Sequence, residues 1–323
     1  MKYSFVLPAY KARFFKEALD SILSQTYKDF ELIIVNDASP EDITSIVKGY
    51  NDPRISYYIN DVNIGGKDLV AQWNHCLEYA TGDYVILASD DDIYHVEYLR
   101  KMDYLINKYP HISIFRPRTQ IVDLIGSVIH IHGYLKENVS AAEFAYYWMR
   151  GHIGSAVSHY IFKKESLISI GGFINFPMAW GSVDATALEL SLGGLVFHNE
   201  ILFSFRQSGI NISSQKNGAK SLKKKICAYN FFVKWLDQFV VKIQSTNIED
   251  DFYCRYLKNN LPKFINYNLQ IILTSSTWIA IIYNIGYLHE LKWVRYSTCI
   301  RSMLVLMKNN FKNIKMFYKI KLR

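Results

Sequence analysis

In the first third of the chain, short unbroken apolar runs alternate with amphipathic stretches. Phe5-Val6-Leu7, Phe30 to Val35, Ile55 to Tyr58 and Tyr84 to Ala88 are too short for ordinary helices and read as strands, the apolar ones buried on both faces. Between them, Phe14, Ala18, Leu19, Ile22 and Leu23 recur at helical spacing with Glu17 near the start. Thr44 to Tyr50 and Leu69 to Ala80 read as two further helices. This alternation predicts an α/β fold of the Rossmann-like kind, a mixed, mostly parallel central sheet flanked by helices. Pro8 is expected to end the first strand, because it cannot donate to a central ladder.

Three of these strands run into loops that carry polar chemistry: Pro8-Ala9-Tyr10 after the first, Asn36-Asp37-Ala38-Ser39 after the second, Ser89-Asp90-Asp91-Asp92 after the fourth. Loops that follow parallel strands leave from one edge of the sheet, where open α/β folds bind ligands. Three consecutive carboxylates must reach water or a cation, and a hard divalent ion such as Mg2+ or Mn2+ suits oxygen ligands. An acidic turn capping the next helix is the plainer alternative.

Further along, Val96 to Tyr109 reads as a helix, Ile112 to Arg116 as a strand, and Ile121 to Ile131 as a hairpin turning at Gly126. Tyr134 to Arg150 holds an aromatic-rich helix with Phe144, Tyr147 and Trp148, taken as core packing. Val157 to Phe162 is strand-like, a short helix follows near Glu165 to Ile168, and Gly171-Gly172 is a turn that lets backbone approach a neighbour closely.

The chain has 323 residues, half of them apolar and a fifth charged, a composition with ample core. Cys76, Cys227, Cys254 and Cys299 form no CxxC pair, which argues against a zinc site or a disulfide framework and fits a reducing cytosol. The N-terminus lacks the pattern of a signal peptide. The net charge of +8 concentrates late, in Lys220, Lys223, Lys224 and Lys225 and in residues 308–323.

The ordered pieces Val6-Leu7-Pro8-Ala9-Tyr10, Ser21 to Tyr27, Glu31 to Ser39, Asn63-Ile64-Gly65, Asn74, Gly82-Asp83-Tyr84, Ser89 to Tyr94 and Gly171-Gly172-Phe173 resemble the family 2 glycosyltransferases over residues 3–215. Those are inverting enzymes of the GT-A fold. The resemblance implies a nucleotide-sugar donor, with a lean toward uracil, bound by Pro8, Ala9, Tyr10 and Asp37, with Ser39 and Lys67 lining the same pocket. It implies Asp90 on the ribose or in the metal shell, Asp91 as direct ligand of Mn2+ or Mg2+, and Asp92 in support. Many members carry an acid where this chain has Ser89. Asp184 falls where the family places its catalytic base, with Val183 where relatives often have another acid; Glu189 is the fallback, and Ser182 is the expected helix cap. Arg206 is the candidate at the donor phosphates, where a guanidinium fork suits a diphosphate, and His198 is a lesser one.

Residues 1–215 are thus expected to form the GT-A domain and residues 216–323 a helical C-terminal region. Leu269 to Leu288 is the most apolar window but contains Gln270, Thr274, Ser275, Ser276, Thr277 and Asn284, so it reads as buried helices, with membrane insertion the alternative. Basic, aromatic-rich helices fit a peripheral contact with the cytoplasmic face of a membrane. The expected acceptor is a saccharide or lipid-linked one, and no nucleic-acid partner is expected. Two other functions compete: a nucleotidyltransferase, which would need a Gly/Arg/Lys-rich first loop that Leu7 to Ala12 does not supply, and a non-catalytic basic binding protein, which leaves the acids unexplained.

Overall fold

The computed structural model describes residues 3–207, 219–246, 251–277, 281–282, 284–288 and 297–306. Ten strands form one sheet: β1 (Tyr3–Ala9), β2 (Phe30–Asn36), β3 (Ile55–Ile59), β4 (Tyr84–Leu87), β5 (Ile93–Tyr94), β6 (Ile114–Val122), β7 (Val128–Ile131), β8 (Asn138–Val139), β9 (Ile161–Lys163) and β10 (Leu195–Arg206). Their order is β3-β2-β1-β4-β9-β6-β10-β5, with β7 paired to β6 and β8 to β10. β1 to β4, β6 and β10 run one way; the four short strands run against them. The sheet is therefore mixed and mostly parallel in strand direction.

Period-two alternation divides the core between the faces. Phe5, Leu7, Leu32, Ile34 and Ile86 point to one cluster, shared with α1 (Phe15–Leu23), α2 (Ile43–Lys48) and α4 (Tyr98–Lys108). Val6, Ile33, Val35, Val85 and Leu87 point to the other, shared with α3 (Leu69–Leu77), α5 (Ala141–Met149), α6 (Lys164–Ser169), α7 (Ser182–Leu190), α8 (Ala219–Thr246) and α9 (Asp251–Thr274). Apolar burial of this kind is worth about 1.5–3 kcal/mol per large side chain.

Two elements depart from expectation. β1 runs through Pro8, which pairs in register with Val35. The ladder to β4 ends at Val6, whose carbonyl accepts from Ala88 N, and Pro8 faces that same side one pair further on, where no donor is required. Val157 to His159 is a turn of 3-10 helix, and only Ile161–Lys163 is strand. That strand lies reversed between β4 and β6.

The C-terminal helices share the sheet's core without a break: Phe232 meets Trp148 and Phe176, and Phe264 meets Trp148. Leu269, Ile272 and Leu273 are buried, and among the described residues no helix is long and apolar enough to cross a membrane. The basic run at residues 308–323, Lys220 and the segment after Gln207 lie outside the residues whose side chains are described.

Candidate active site

The loops after β1, β2 and β4 meet at one rim of the sheet and are hydrogen-bonded to each other. Asp90 accepts from the backbone N–H groups of Tyr10 (3.2 Å) and Lys11 (2.8 Å). The Ser39 hydroxyl donates to the Tyr10 carbonyl at 2.6 Å, and Asp37 N donates to the Ala9 carbonyl at 3.0 Å. Tyr10 is left exposed at the rim, beside partly buried Pro8 and buried Ala9.

Asp37 is buried, and its carboxylate organises the neighbouring turn. One oxygen accepts from Asn60 Nδ2 and Ile64 N, both at 2.8 Å, and the other from Gly65 N at 2.7 Å. A Cβ on Gly65 would sit 2.9 Å from that second oxygen, which is why the turn takes glycine there. Lys67 is exposed just past this turn.

The three consecutive acids have three different surroundings. Asp90 is tied to the first loop, and desolvation with the Asp91 charge nearby pushes its carboxyl up to about 6. Asp91 is partly accessible; one oxygen accepts from the Ser89 hydroxyl at 2.7 Å, and the other has no protein partner among the described residues. Asp92 is fully buried, accepting from the Ser158 hydroxyl (2.6 Å) and Arg206 N (3.0 Å), and burial raises it strongly. Thus Asp90 and Asp91 are partly accessible and each keeps one oxygen without a protein partner among the described residues, whereas Asp92 is buried and held at both oxygens. Among the described residues no three His, Cys, Asp or Glu side chains gather as a preformed metal cage. A hard divalent ion is commonly held by one or two carboxylates with phosphate oxygens completing its shell, so Asp91 fits an ion whose other ligands arrive with the donor.

Arg206 sits at the end of β10, on the same rim, and is only 2% exposed. Its guanidinium donates to the Asp91 carbonyl (3.0 Å), the Leu124 carbonyl (3.3 Å) and Glu17 (2.7 Å), and lies 4.3 Å from the Phe14 ring centroid. Here it braces the acidic loop against α1 and the β6–β7 turn. His198 lies about 20–25 Å back along the same strand, beside Arg100, Lys101 and Glu200. A cavity of about 570 Å3 lined by Thr81, Asp83, Lys163 and Glu165 opens near the start of β4, at the opposite edge of the sheet from the acids.

Asp184 stands in the first turn of α7. Gly181, left-handed at φ 79°, precedes the helix, so Ser182 is not its cap; the Ser182 hydroxyl instead accepts from Phe176 N at 3.0 Å. The Asp184 carboxylate accepts from Trp148 Nε1 at 2.8 Å and is approached by the Ser155 hydroxyl. The residue keeps some accessible surface, yet protein surrounds the carboxyl closely enough that desolvation raises it to about 6. Glu189, one turn on, is ion-paired with Lys242 of α8.

Several residues of the resembling pieces turn out to fasten this rim. Gln25 is buried and bridges the His95 carbonyl and Leu99 N, holding the chain just after the acids. Asn74 accepts from Phe173 N at 2.7 Å and donates to the Phe173 carbonyl at 3.1 Å; a Cβ on Gly172 would fall 2.5 Å from its Oδ1. The close approach expected of Gly171-Gly172 is therefore to the Asn74 amide.

The glycosyl transferase family 2 profile matches residues 4–154. Residues 4–154 are a family 2 glycosyltransferase domain. The family 2 domain is similar to the putative glycosyltransferase EpsE of Bacillus subtilis, 35% identical over 129 residues, 39% of this chain and 45% of that protein. It is also similar to the putative colanic acid biosynthesis glycosyl transferase WcaA of Escherichia coli, 40% identical over 77 residues, 23% of this chain and 26% of that one. The chain thus matches less than half the length of these relatives. In fold it is similar to S. aureus TarS 1–349 solved in complex with UDP-GlcNAc, at a TM-score of 0.61, 15% identity and coverage of 97% and 92% of the two chains. The fold also resembles the mannosyltransferase PcManGT of Pyrobaculum calidifontis, solved with GDP-Man and Mn2+, at 0.50, 17%, 88% and 75%.

The matched family 2 segment contains the first-loop, Asp37 and triple-acid residues; Asp184 and Arg206 lie beyond it. Sequence reasoning missed Trp148, Ser155, Ser158 and Glu17 as neighbours of the site. In the sequence Trp148 shows only as part of an aromatic core helix; it packs against that core and also reaches Asp184.

Proposed function

We propose that the chain is an inverting glycosyltransferase that moves a sugar from a nucleotide-sugar donor to a hydroxyl of a saccharide or lipid-linked acceptor, in building a bacterial surface polysaccharide. The observation that carries this reading is the junction of three loops, with Asp90 and Ser39 tying Tyr10, Asp37 and Asp91 to one rim. The UDP-GlcNAc complex of TarS supports a UDP-type donor, and the colanic acid relative supports the polysaccharide. Residues 1–215 would carry the transfer, with 216–323 as a helical region in peripheral contact with a cytoplasmic membrane face.

In this reading the exposed Tyr10 ring offers a face to the base, which is the kind of surface an aromatic residue provides. Asp37 accepts hydrogen bonds at the base edge while holding its own turn, and Ser39 and Lys67 border the pocket. Asp90 sets the distance between the first loop and the acids. Asp91 would hold Mn2+ or Mg2+ together with the donor diphosphate, and the ion would supply neutralisation of charge on the departing nucleoside diphosphate. Arg206 keeps Asp91 in place.

An inverting transfer is a single displacement, so one group must take the acceptor proton on the face opposite the leaving group. Asp184 suits this: its carboxyl is raised to about 6, close to working pH, and Trp148 holds one of its oxygens. Activity should therefore rise as pH increases through about 6, where this carboxyl ionises. The test is nucleoside diphosphate release from a panel of nucleotide sugars with Mn2+ and candidate acceptors. Asp184→Asn is expected to keep donor binding and lose transfer by a factor of at least about 100. Undiminished transfer by Asp184→Asn would move the base elsewhere, with Glu189 next in line.

A further inference from the structure

The second half of β6 carries a cation that the proposed reaction does not use. Arg118 donates through Nε to the His132 carbonyl at 2.7 Å, and its guanidinium carbon lies 3.6 Å from the centroid of the Tyr134 ring. Nη1 and Nη2 are open to solvent and have no protein partner among the described residues. Tyr134 is 64% exposed although the guanidinium covers one face of its ring. The opposite face is therefore the one presented to solvent.

Both side chains stand on a fixed base. Two loops, residues 132–134 and 152–154, are pressed together through reciprocal glycines: a Cβ on Gly133 would fall 2.0 Å from His152 Nε2, and one on Gly154 would fall 2.6 Å from His132 Nε2. Gly133 N donates to the His152 carbonyl at 3.0 Å, and His152 Nε2 lies 3.0 Å from the Tyr134 carbonyl. Leu135 and Ile153 anchor the two loops in the core cluster that also holds Ala185 of α7, so the ring stands on the sheet face that carries Asp184. Direct contacts run from one to the other. The His152 ring lies 5.1 Å from that of Tyr147, and Trp148, the next residue of α5, donates to Asp184 at 2.8 Å.

An aromatic ring fixed with one face open is a stacking surface for the apolar face of a pyranose, and tyrosine loses little side-chain entropy in presenting it. A guanidinium at its margin offers a fork of N–H groups suited to a carboxylate. The protein's own carboxylates on the adjoining segments are engaged elsewhere: Glu143 with Lys136, Glu137 with Lys108, and Asp123 with the N–H groups of Ile125 and Ser127. We propose that Tyr134 and Arg118 form an acceptor subsite for a sugar unit bearing a carboxylate, set apart from the reacting unit, which makes the two residues specificity-determining for an acidic saccharide. The proposal rests on the reading of the chain as a transferase acting on a saccharide.

The test is isothermal titration of the full chain, without donor or metal, using the galacturonic acid hexamer and its methyl ester, which keeps the backbone and removes the charge. Wild type is expected to bind the acid about tenfold more tightly than the ester. Tyr134→Ala is expected to weaken both by at least about threefold at an unchanged melting temperature. Arg118→Gln is expected to bring the acid down to the ester and leave the ester alone, and Arg118→Lys, which keeps the charge, to retain part of the preference. Equal wild-type affinities for the two probes, or binding untouched by Tyr134→Ala, would overturn the subsite. Loss of both probes in Arg118→Gln together with a lower melting temperature, and no preference kept by Arg118→Lys, would assign Arg118 a structural role and overturn its part. Binding that depends on both residues, with no nucleotide sugar yielding nucleoside diphosphate, would instead overturn the transferase reading and leave a saccharide site standing.

Discussion

Arg206 separates two accounts of the rim, one in which its charge binds the donor diphosphate and one in which it holds the acidic loop. Arg206→Met keeps length and the backbone N–H to Asp92 and removes the guanidinium. The Asp91 and Leu124 carbonyls then lose their donors, each loss worth about 1–3 kcal/mol. The contact with Phe14 adds about 0.5–2 kcal/mol. Glu17 is half exposed, so its ion pair is discounted to at most about 1 kcal/mol. Relief of the buried charge's desolvation offsets part of this. The net expectation is a loss of about 2–4 kcal/mol, read as a lower midpoint in urea unfolding with an unchanged slope. Mn2+-dependent donor binding should weaken as well, because Asp91 is no longer braced. A variant as stable as wild type to within about 0.5 kcal/mol, with donor affinity sharply reduced, would refute the bracing role and return Arg206 to the phosphates.

Three other expectations follow from the same geometry. Gly172→Ala puts a Cβ 2.5 Å from Asn74 Oδ1 at φ +87° and should lower stability by about 2–4 kcal/mol by thermal unfolding, whereas Gly171→Ala, at the same φ with open space around it, should lower it by about 1 kcal/mol. Asp91→Ala should abolish the melting-temperature increase that Mn2+ gives in the presence of a bound nucleotide sugar, while leaving the unliganded melting temperature nearly unchanged. His132 is held down to about 4 from an ordinary 6.5, so the stability it contributes is complete above pH 6.5 and is lost as pH falls toward 4. For a side chain only 4% exposed that is worth about 3 kcal/mol; the stability gap between wild type and His132→Asn should narrow over this range in urea titrations.

The parts of the fold that could be read in advance are those where local pattern and burial coincide. β1, β2 and β4 are buried on both faces, so they appear as apolar runs, and their abrupt polar ends mark the rim. Pro8 misled because a proline's missing donor matters only on the side where a neighbour continues, and β4 has already left that side. β9 was hidden for a different reason: three residues carry no period, and reversing a strand between two parallel ones leaves no local trace. Arg206 is read at the donor phosphates from the resemblance alone; its bond to Glu17, 189 positions away, leaves no local trace in the sequence.

The surroundings of Asp184 were illegible for a reason that also bears on the C-terminal helices. Its loop is shaped from three distant directions: Trp148 from α5, Ser155 from the segment before β9, and Phe232 from α8, whose ring leaves no room for a side chain at Gly181, with a Cβ only 2.4 Å from it. Gly181 is left-handed because the chain must turn tightly there into α7, so the ring and the turn fix where the helix starts and hence where the carboxylate points. Phe176 and Trp235 extend the same aromatic contact, at 6.1 and 6.5 Å between the Phe176 ring and those of Phe232 and Trp235. The amphipathic pattern of α8 announced a helix but not its partner. Because that partner is the loop bearing Asp184, the helical region is part of what positions the proposed base.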